Sequence, residues 1–171
     1  MKMKTVINVK KREEAIKNVG VFRKKKYENK DIRFTNVNLL EINKLIDKQL
    51  FYKNDLFINS ETLWELTQPI GESGKHNYHE LTPEDIVDAL NSIADPYALF
   101  ETKLCRYAVI TTTLSHFGEP LMAIIEIGAG VYLDIDANIN KIVTMYPKKN
   151  VDIMLNGLDK KDVLLLKINK K

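Results

Sequence analysis

Apolar positions along this chain follow a helical rhythm in the first half and a strand rhythm in the second. Leu39, Ile42, Leu45 and Ile46 recur at spacings of three and four, which predicts a helix from Asn38 to about Gln49 with one apolar stripe. A second helix is expected from Ser60, its N-cap, with Leu63, Trp64 and Leu66 following and Phe57 and Ile58 clamping its entry. Pro69-Ile70-Gly71 ends it. The third helix has the strongest start signal. Thr82-Pro83-Glu84-Asp85 combines a capping hydroxyl, a proline at the first helical position and acids in the first turn. Ile86, Leu90, Ile93 and Ala94 form its buried stripe, and Asp95-Pro96 stops it. Upstream, the pattern reads as a strand from Thr5 to Val9, a polar helix from Lys11 to Asn18 ended by Gly20, and a strand at Asp31–Thr35.

Past Pro96 the texture turns to Val, Ile, Thr and Tyr. Strands are expected at Arg106–Leu114, Leu121–Ile127, Asn138–Tyr146 and Val163–Ile168, with a further short one at Tyr97–Thr102 and a short helix at 151–157. Helices first and strands after them predict an α+β fold: N-terminal helices packed on one face of a mostly antiparallel four- to five-stranded sheet. The chain divides into a basic helical region, 1–70, and an α+β domain, 71–171. In Asn138–Tyr146 a period of two separates Ile139, Lys141, Val143 and Met145 from Asn138, Asn140, Ile142, Thr144 and Tyr146. If the first set faces the helices, Asn140, Thr144 and Tyr146 project together from an open face. Lys141 sits awkwardly in the apolar set, so the inverse assignment stays open.

The 171 residues suffice for one core, and 44% hydrophobic with 29% charged residues fits an ordinary globular protein rather than a disordered one. No apolar run approaches the roughly 20 residues a membrane-spanning helix needs. The first residues do not read as a signal peptide. A single cysteine excludes an internal disulfide, and with three histidines it makes a structural zinc site a poor expectation. No cofactor or metal is expected, and the setting expected is the cytoplasm of a bacterial host cell. The net charge of +3 is unevenly placed. Residues 1–30 hold eleven Lys/Arg against three acids, so +8, and the remaining 141 residues carry −5. A basic arm on a mildly acidic body suits a polyanion, or docking of the arm onto its own body. The leading expectation is a solvated, partly disordered terminus, because Phe22 and Tyr27 merely flank Arg23-Lys24-Lys25-Lys26 and no aromatic platform interleaves with the run.

Several side chains carry possible chemistry. His79 precedes the capped helix in a loop with Lys75 and His76. A histidine there suits general acid–base work or simple surface exposure. His116, in the turn before Gly118, reads as an exposed turn residue. Arg106 opens a strand and could clamp a phosphate or pair with an acid. Asp134 and Asp136 lack the calcium-loop pattern. Cys105 reads as a small, half-buried apolar residue. No P-loop, dinucleotide fingerprint, nucleophile elbow or zinc motif is present.

From His79 onward the runs HELTPEDIVDALNSIADPYALFET, RYAVITTTLSHFGEPLMAIIEI, NINKIVTMYPK and DVLLLKINKK follow one another. This order resembles the barnase/EndoU/colicin/RelE-like (BECR) nuclease domains found at the C-terminus of phage Mu-type head-morphogenesis (MuF) proteins and in mobile elements. The matching positions are His79, Pro96, Phe100, Thr102, Gly118, Pro120, Asn140, Thr144, Tyr146, Pro147 and Lys148, over roughly residues 75–171. The resemblance implies a metal-independent, toxin-like ribonuclease in which a 2′-hydroxyl attacks the adjacent phosphodiester. By carry-over His79 is the acid/base group and Thr144 orients the phosphate. Arg106, Lys75 and Tyr146 are assigned to charge stabilisation from their chemistry alone, and His76, Asn140 and Lys148 to substrate binding. Such enzymes often pair two histidines, or a histidine with a carboxylate; the second acid/base group is unassigned, with His76 as one option. RNA is the expected partner, beside a possible host protein or immunity partner. The rival expectation is a non-catalytic binding module acting on a host protein or nucleic acid.

Overall fold

The computed structural model describes residues 4–28, 30–71, 77–103, 105–128, 139–159 and 164–167. Its elements in chain order are β1 (Lys4–Asn8), α1 (Arg12–Lys24), β2 (Asp31–Thr35), α2 (Leu40–Ile46), β3 (Leu56–Asn59), α3 (Ser60–Leu66), α4 (Pro83–Ser92), β4 (Ala98–Lys103), β5 (Arg106–Leu114), β6 (Pro120–Ile127), β7 (Asn140–Pro147), α5 (Val151–Asp159) and β8 (Leu164–Lys167). The α+β class expected from the pattern holds. The sheet is larger than expected: eight strands in the order β1-β2-β3-β7-β6-β5-β4-β8. It is also mixed, with β1/β2 and β3/β7 parallel and the other neighbours antiparallel. The first seventy residues therefore supply three strands as well as three helices. One apolar core runs from Ile7, Ile32 and Leu56 to Val109, Ala123 and Ile142, across residue 70.

Helices do not stay on one face. α1, α3 and α4 share the main core with one face of the sheet. On the other face, Ala98, Phe100, Ala108, Ile110 and Met122 form a second cluster with Val151 and Leu155 of α5. The cause lies in β5, where Tyr107 to Thr111 are buried without alternation. A continuous apolar run needs cover on both sides, whereas an alternating strand needs it on one. β2 is of the alternating kind: Ile32 and Phe34 are buried, Arg33 is exposed, and Arg33 pairs with Asp55.

Local signals were redirected by packing at four places. α1 runs through Gly20 to Lys24, because Ala15, Val19 and Phe22 at helical spacing are all buried. α2 stops early at Asp47, whose backbone is left-handed at φ 50°, and Leu45 of its expected stripe is 46% exposed. Asn43 shapes the chain that follows, its side chain bonding Leu50 N, Phe51 N and Phe51 O. Phe57 and Ile58 belong to a strand rather than to a helix clamp. Asn59, not Ser60, caps α3 by accepting from Glu61 N at 2.8 Å. The Ser60 hydroxyl is buried and taken by the chain between α1 and β2, donating to Tyr27 O at 2.6 Å.

α4 forms as expected and carries a complete capping box, Thr82 Oγ1 accepting from Asp85 N and Asp85 Oδ2 from Thr82 N. The Asp85 carboxylate also accepts from the His116 backbone N–H at 3.0 Å and meets His116 Nδ1 at 2.6 Å, tying the β5–β6 turn to the helix.

Two stability outcomes are expected from urea unfolding. Thr82→Ala should cost about 1 kcal/mol, the usual value of a cap. Asp85→Ala should cost roughly 2–3 kcal/mol, since it also strands the His116 N–H; equal losses would remove Asp85 from the turn contact. A Cβ on Gly20 would meet Pro83 Cγ at 3.9 Å, an ordinary contact. Gly20→Ala should therefore stabilise by about 0.5–1 kcal/mol through helix propensity.

Candidate functional site

β7 creates the setting. Its pairing with β6 covers Asn140 to Pro147, but the register shifts between Ile124 and Ile125. Ile125 faces Ile142 and Ile124 faces Thr144, which leaves Val143 extra, a β-bulge. The bulge breaks the period of two expected for this strand. Ile142 and Met145 both enter the main core, while Tyr146 packs against the α5-side cluster. Asn140 keeps phase with Ile142, not with Thr144. It is buried, and its Nδ2 donates to Lys53 O at 2.9 Å and Asp55 O at 3.2 Å. It is thus a tie between β7 and the approach to β3, not a member of an open polar face.

On its other flank β7 pairs with β3 through Asn140 and Lys141. Beyond them α3 packs on β7, and the segment leading into α4 lies against it. That segment is pinned by backbone bonds from Glu80 N to Gln68 O and from Leu81 N to Leu66 O, both 2.9 Å. Glu80 itself has a left-handed φ of 54°, an uncommon conformation for glutamate. The result is that His79, 65 residues away in sequence, meets β7. Its Nε2 lies 3.4 Å from Thr144 Oγ1, at the long end of hydrogen-bond reach, and its ring centroid lies 5.4 Å from that of Tyr146 with a 35° tilt.

Both ring groups are partly buried, and burial shifts each toward its neutral form. Desolvation lowers the His79 pKa below its ordinary 6.5 and raises the Tyr146 pKa above its ordinary 10. Near neutral pH the imidazole carries no charge and offers a lone pair, and the phenol holds its proton.

The other expected site residues do not join this cluster. Arg106 donates from Nε to Glu126 Oε1 at 3.1 Å, directly across β5 and β6. Its row of the sheet is Arg106–Glu126–Lys141, whereas Thr144 lies on the row of Ala108 and Ile124. Two strand spacings, roughly 10 Å, also separate Arg106 from β7. Lys148 lines a cleft of about 550 Å³ between the β5–β6 turn and the start of α5, with Gly118, Glu119 and Asn150. Lys75, His76, Asp134 and Asp136 lie outside the described residues. Cys105 is exposed at a left-handed φ of 62°, rather than half-buried. Among the described residues, no three His, Cys, Asp or Glu side chains converge as metal ligands would. Among them also, no helix is long and apolar enough to cross a membrane.

Two contacts escaped sequence reasoning. Asp85 and His116 are 31 residues apart, and the acid was legible only as one of the acids in the first turn of α4. The aromatic surroundings of the basic arm come from elsewhere in the chain: Lys26 Nζ lies 5.3 Å from the centroid of Trp64, and Trp64 meets Tyr78 edge-on at 5.9 Å. The described part of the arm carries β1 and α1, with Arg12 paired to Asp88 on α4.

The architecture is thus an α+β sheet domain extended by N-terminal strands, with a His–Thr–Tyr cluster at the flank of its central strand. Residues 72–171 match the phage MuF C-terminal domain. That match spans more than half of the chain, and the chain belongs to this phage-associated family. No curated protein and no solved structure matches it.

The lowered His79 pKa has a consequence for stability. Such a group binds its proton more weakly when folded. Its stabilising share is whole above the unfolded value near 6.5 and is lost as pH falls through the lower folded value. Wild type should lose stability relative to His79→Gln on going from about pH 7 to about pH 5. Urea midpoints of the two proteins across that range check this; parallel curves would place the imidazole in solvent.

Proposed function

We propose that this phage-family chain is a metal-independent endoribonuclease of toxin type, acting on RNA in the bacterial host. The observation that carries the reading is the approach of His79 to Thr144 and Tyr146, which the chain brings together from two distant segments. In the proposed reaction the 2′-hydroxyl attacks phosphorus and the bond to the 5′-oxygen breaks. The products end in a 2′,3′-cyclic phosphate and a 5′-hydroxyl. Neutral His79 accepts the 2′-hydroxyl proton. The Thr144 hydroxyl orients the scissile phosphate. Tyr146, which keeps its proton, donates to the leaving oxygen and recovers the proton from His79 afterwards. Among the described residues the His79–Thr144–Tyr146 cluster holds no cation for the phosphorane, and Arg106 is engaged by Glu126.

That last point supports a second reading, a non-catalytic module that binds a host protein or nucleic acid. With Arg106 and Asn140 held by structural partners, fewer groups are left for transition-state charge than the family resemblance implies.

Cleavage of a mixed RNA pool in excess chelator separates the two. The wild type should yield cyclic-phosphate ends, with an acidic limb of the pH–rate profile below about pH 6.5. His79→Ala and Tyr146→Phe should each lose roughly 10²–10⁴-fold in rate while unfolding at wild-type urea. Undiminished cutting by both variants would dissolve the site assignment. No cutting by the wild type would bring the binding module forward.

A further inference from the structure

The strongest unassigned feature is the surface beside His79. Arg23 and Lys24 end α1, Lys25 and Lys26 follow it, and all four are exposed. Among the described residues none of these four forms an ion pair, whereas Arg12, Arg33 and Arg106 each do. Two of the four, Lys25 and Lys26, meet aromatic rings instead, as does Lys30. Lys25 Nζ lies 5.1 Å from the Tyr27 centroid, and Lys30 Nζ lies 5.1 Å from Tyr27 and 5.3 Å from Phe22. Lys26 lies over Trp64, Trp64 meets Tyr78, Tyr78 adjoins His79, and His79 meets Tyr146. A cation at the end of the basic run thus opens onto a row of rings, Trp64, Tyr78, His79 and Tyr146, that reaches the candidate cluster. Glu28, Glu61 and Glu65 lie in the same segments and moderate the positive field.

We propose that the Lys26–Trp64–Tyr78 strip is a single-strand track that leads RNA into the His79 site, with a base stacked on Trp64 and Lys24, Lys25 and Lys26, at and just past the end of α1, on the phosphates. The inference rests on the ribonuclease reading above. A stacked ring serves any base but needs an unpaired one, so the track takes single strands and passes over duplex. Lys26 has a flexible stem and an exposed contact with the ring. It can leave the indole for a phosphate when a base takes its place. The track also gives the basic N-terminal arm a role: it lies upstream of the cutting site and sets affinity, not chemistry.

The chain contains a single tryptophan, so the indole reports directly. The test uses the full chain carrying His79→Ala, titrated with a 12-residue oligouridylate, reading Trp64 fluorescence and, in parallel, the anisotropy of a labelled oligomer. Expected are quenching and binding with one shared affinity, weakening as salt rises. The triple variant Lys24→Gln, Lys25→Gln, Lys26→Gln should bind roughly tenfold or more weakly, with the slope of log K against log salt smaller by about 2, from three lost phosphate contacts at ~0.7 each. A duplex of equal length should compete poorly. Binding without quenching, a triple variant that binds like wild type, or equal competition by duplex overturns the track. If the His79-containing protein still cuts RNA in those cases, the ribonuclease reading stands without it. Quenching by oligouridylate in a protein that never cuts upholds the track and removes the ribonuclease. Neither binding nor cutting removes both.

Discussion

β7 is bonded to β6 along its whole length but to β3 through Asn140 and Lys141 alone, and most of what is specific to this fold follows from that asymmetry. A strand flank left without a partner inside a sheet must be covered, because its backbone groups have nowhere else to go. Here α3 and the chain entering α4 supply the cover. Asn140 holds the junction by bonding two carbonyls ahead of β3. The bulge at Val143 then resets the phase, sending Met145 into the core and leaving Thr144 and Tyr146 beside the arriving histidine.

The start of α4 is the second fixed point. His79 reaches β7 because Glu80 and Leu81 are bonded to the end of α3, and because α4 begins immediately afterwards at a closed capping box. Asp85 serves that box and the β5–β6 turn at once, so helix start, turn and histidine are positioned as one unit. Position and protonation go together here. The burial that places the imidazole against Thr144 also keeps it neutral.

The N-terminal segment gains a clear place in this scheme. β1–β3 extend the sheet past β7, and α1 lays Ala15, Val19 and Phe22 into the core shared with α4. The exposed chain just after that helix brings Lys26 to Trp64 on α3, and Trp64 meets Tyr78, the neighbour of His79 in sequence. A charge run that looked detached in the sequence is thereby packed against the body of the fold.

The sequence by itself determined the α+β class, the cap and span of α4, β5 from Arg106 to Leu114, and the Gly118-Pro120 turn. Those features depend on residues within one or two turns of each other: a threonine three before an aspartate, a run of β-branched side chains, a glycine before a proline. His79, Thr144 and Tyr146 were also singled out from sequence, but their contact was not legible. Tertiary structure alone decided that contact, the burial of Asn140, the Arg106–Glu126 and Asp85–His116 pairs, the continuation of α1 past Gly20, and the number of strands. Each of these hinges on partners twenty to nearly ninety residues apart, or on a register shift that moves one side chain from one face to another. No local pattern encodes such a choice, because it is made by which surfaces bury one another when the whole chain closes.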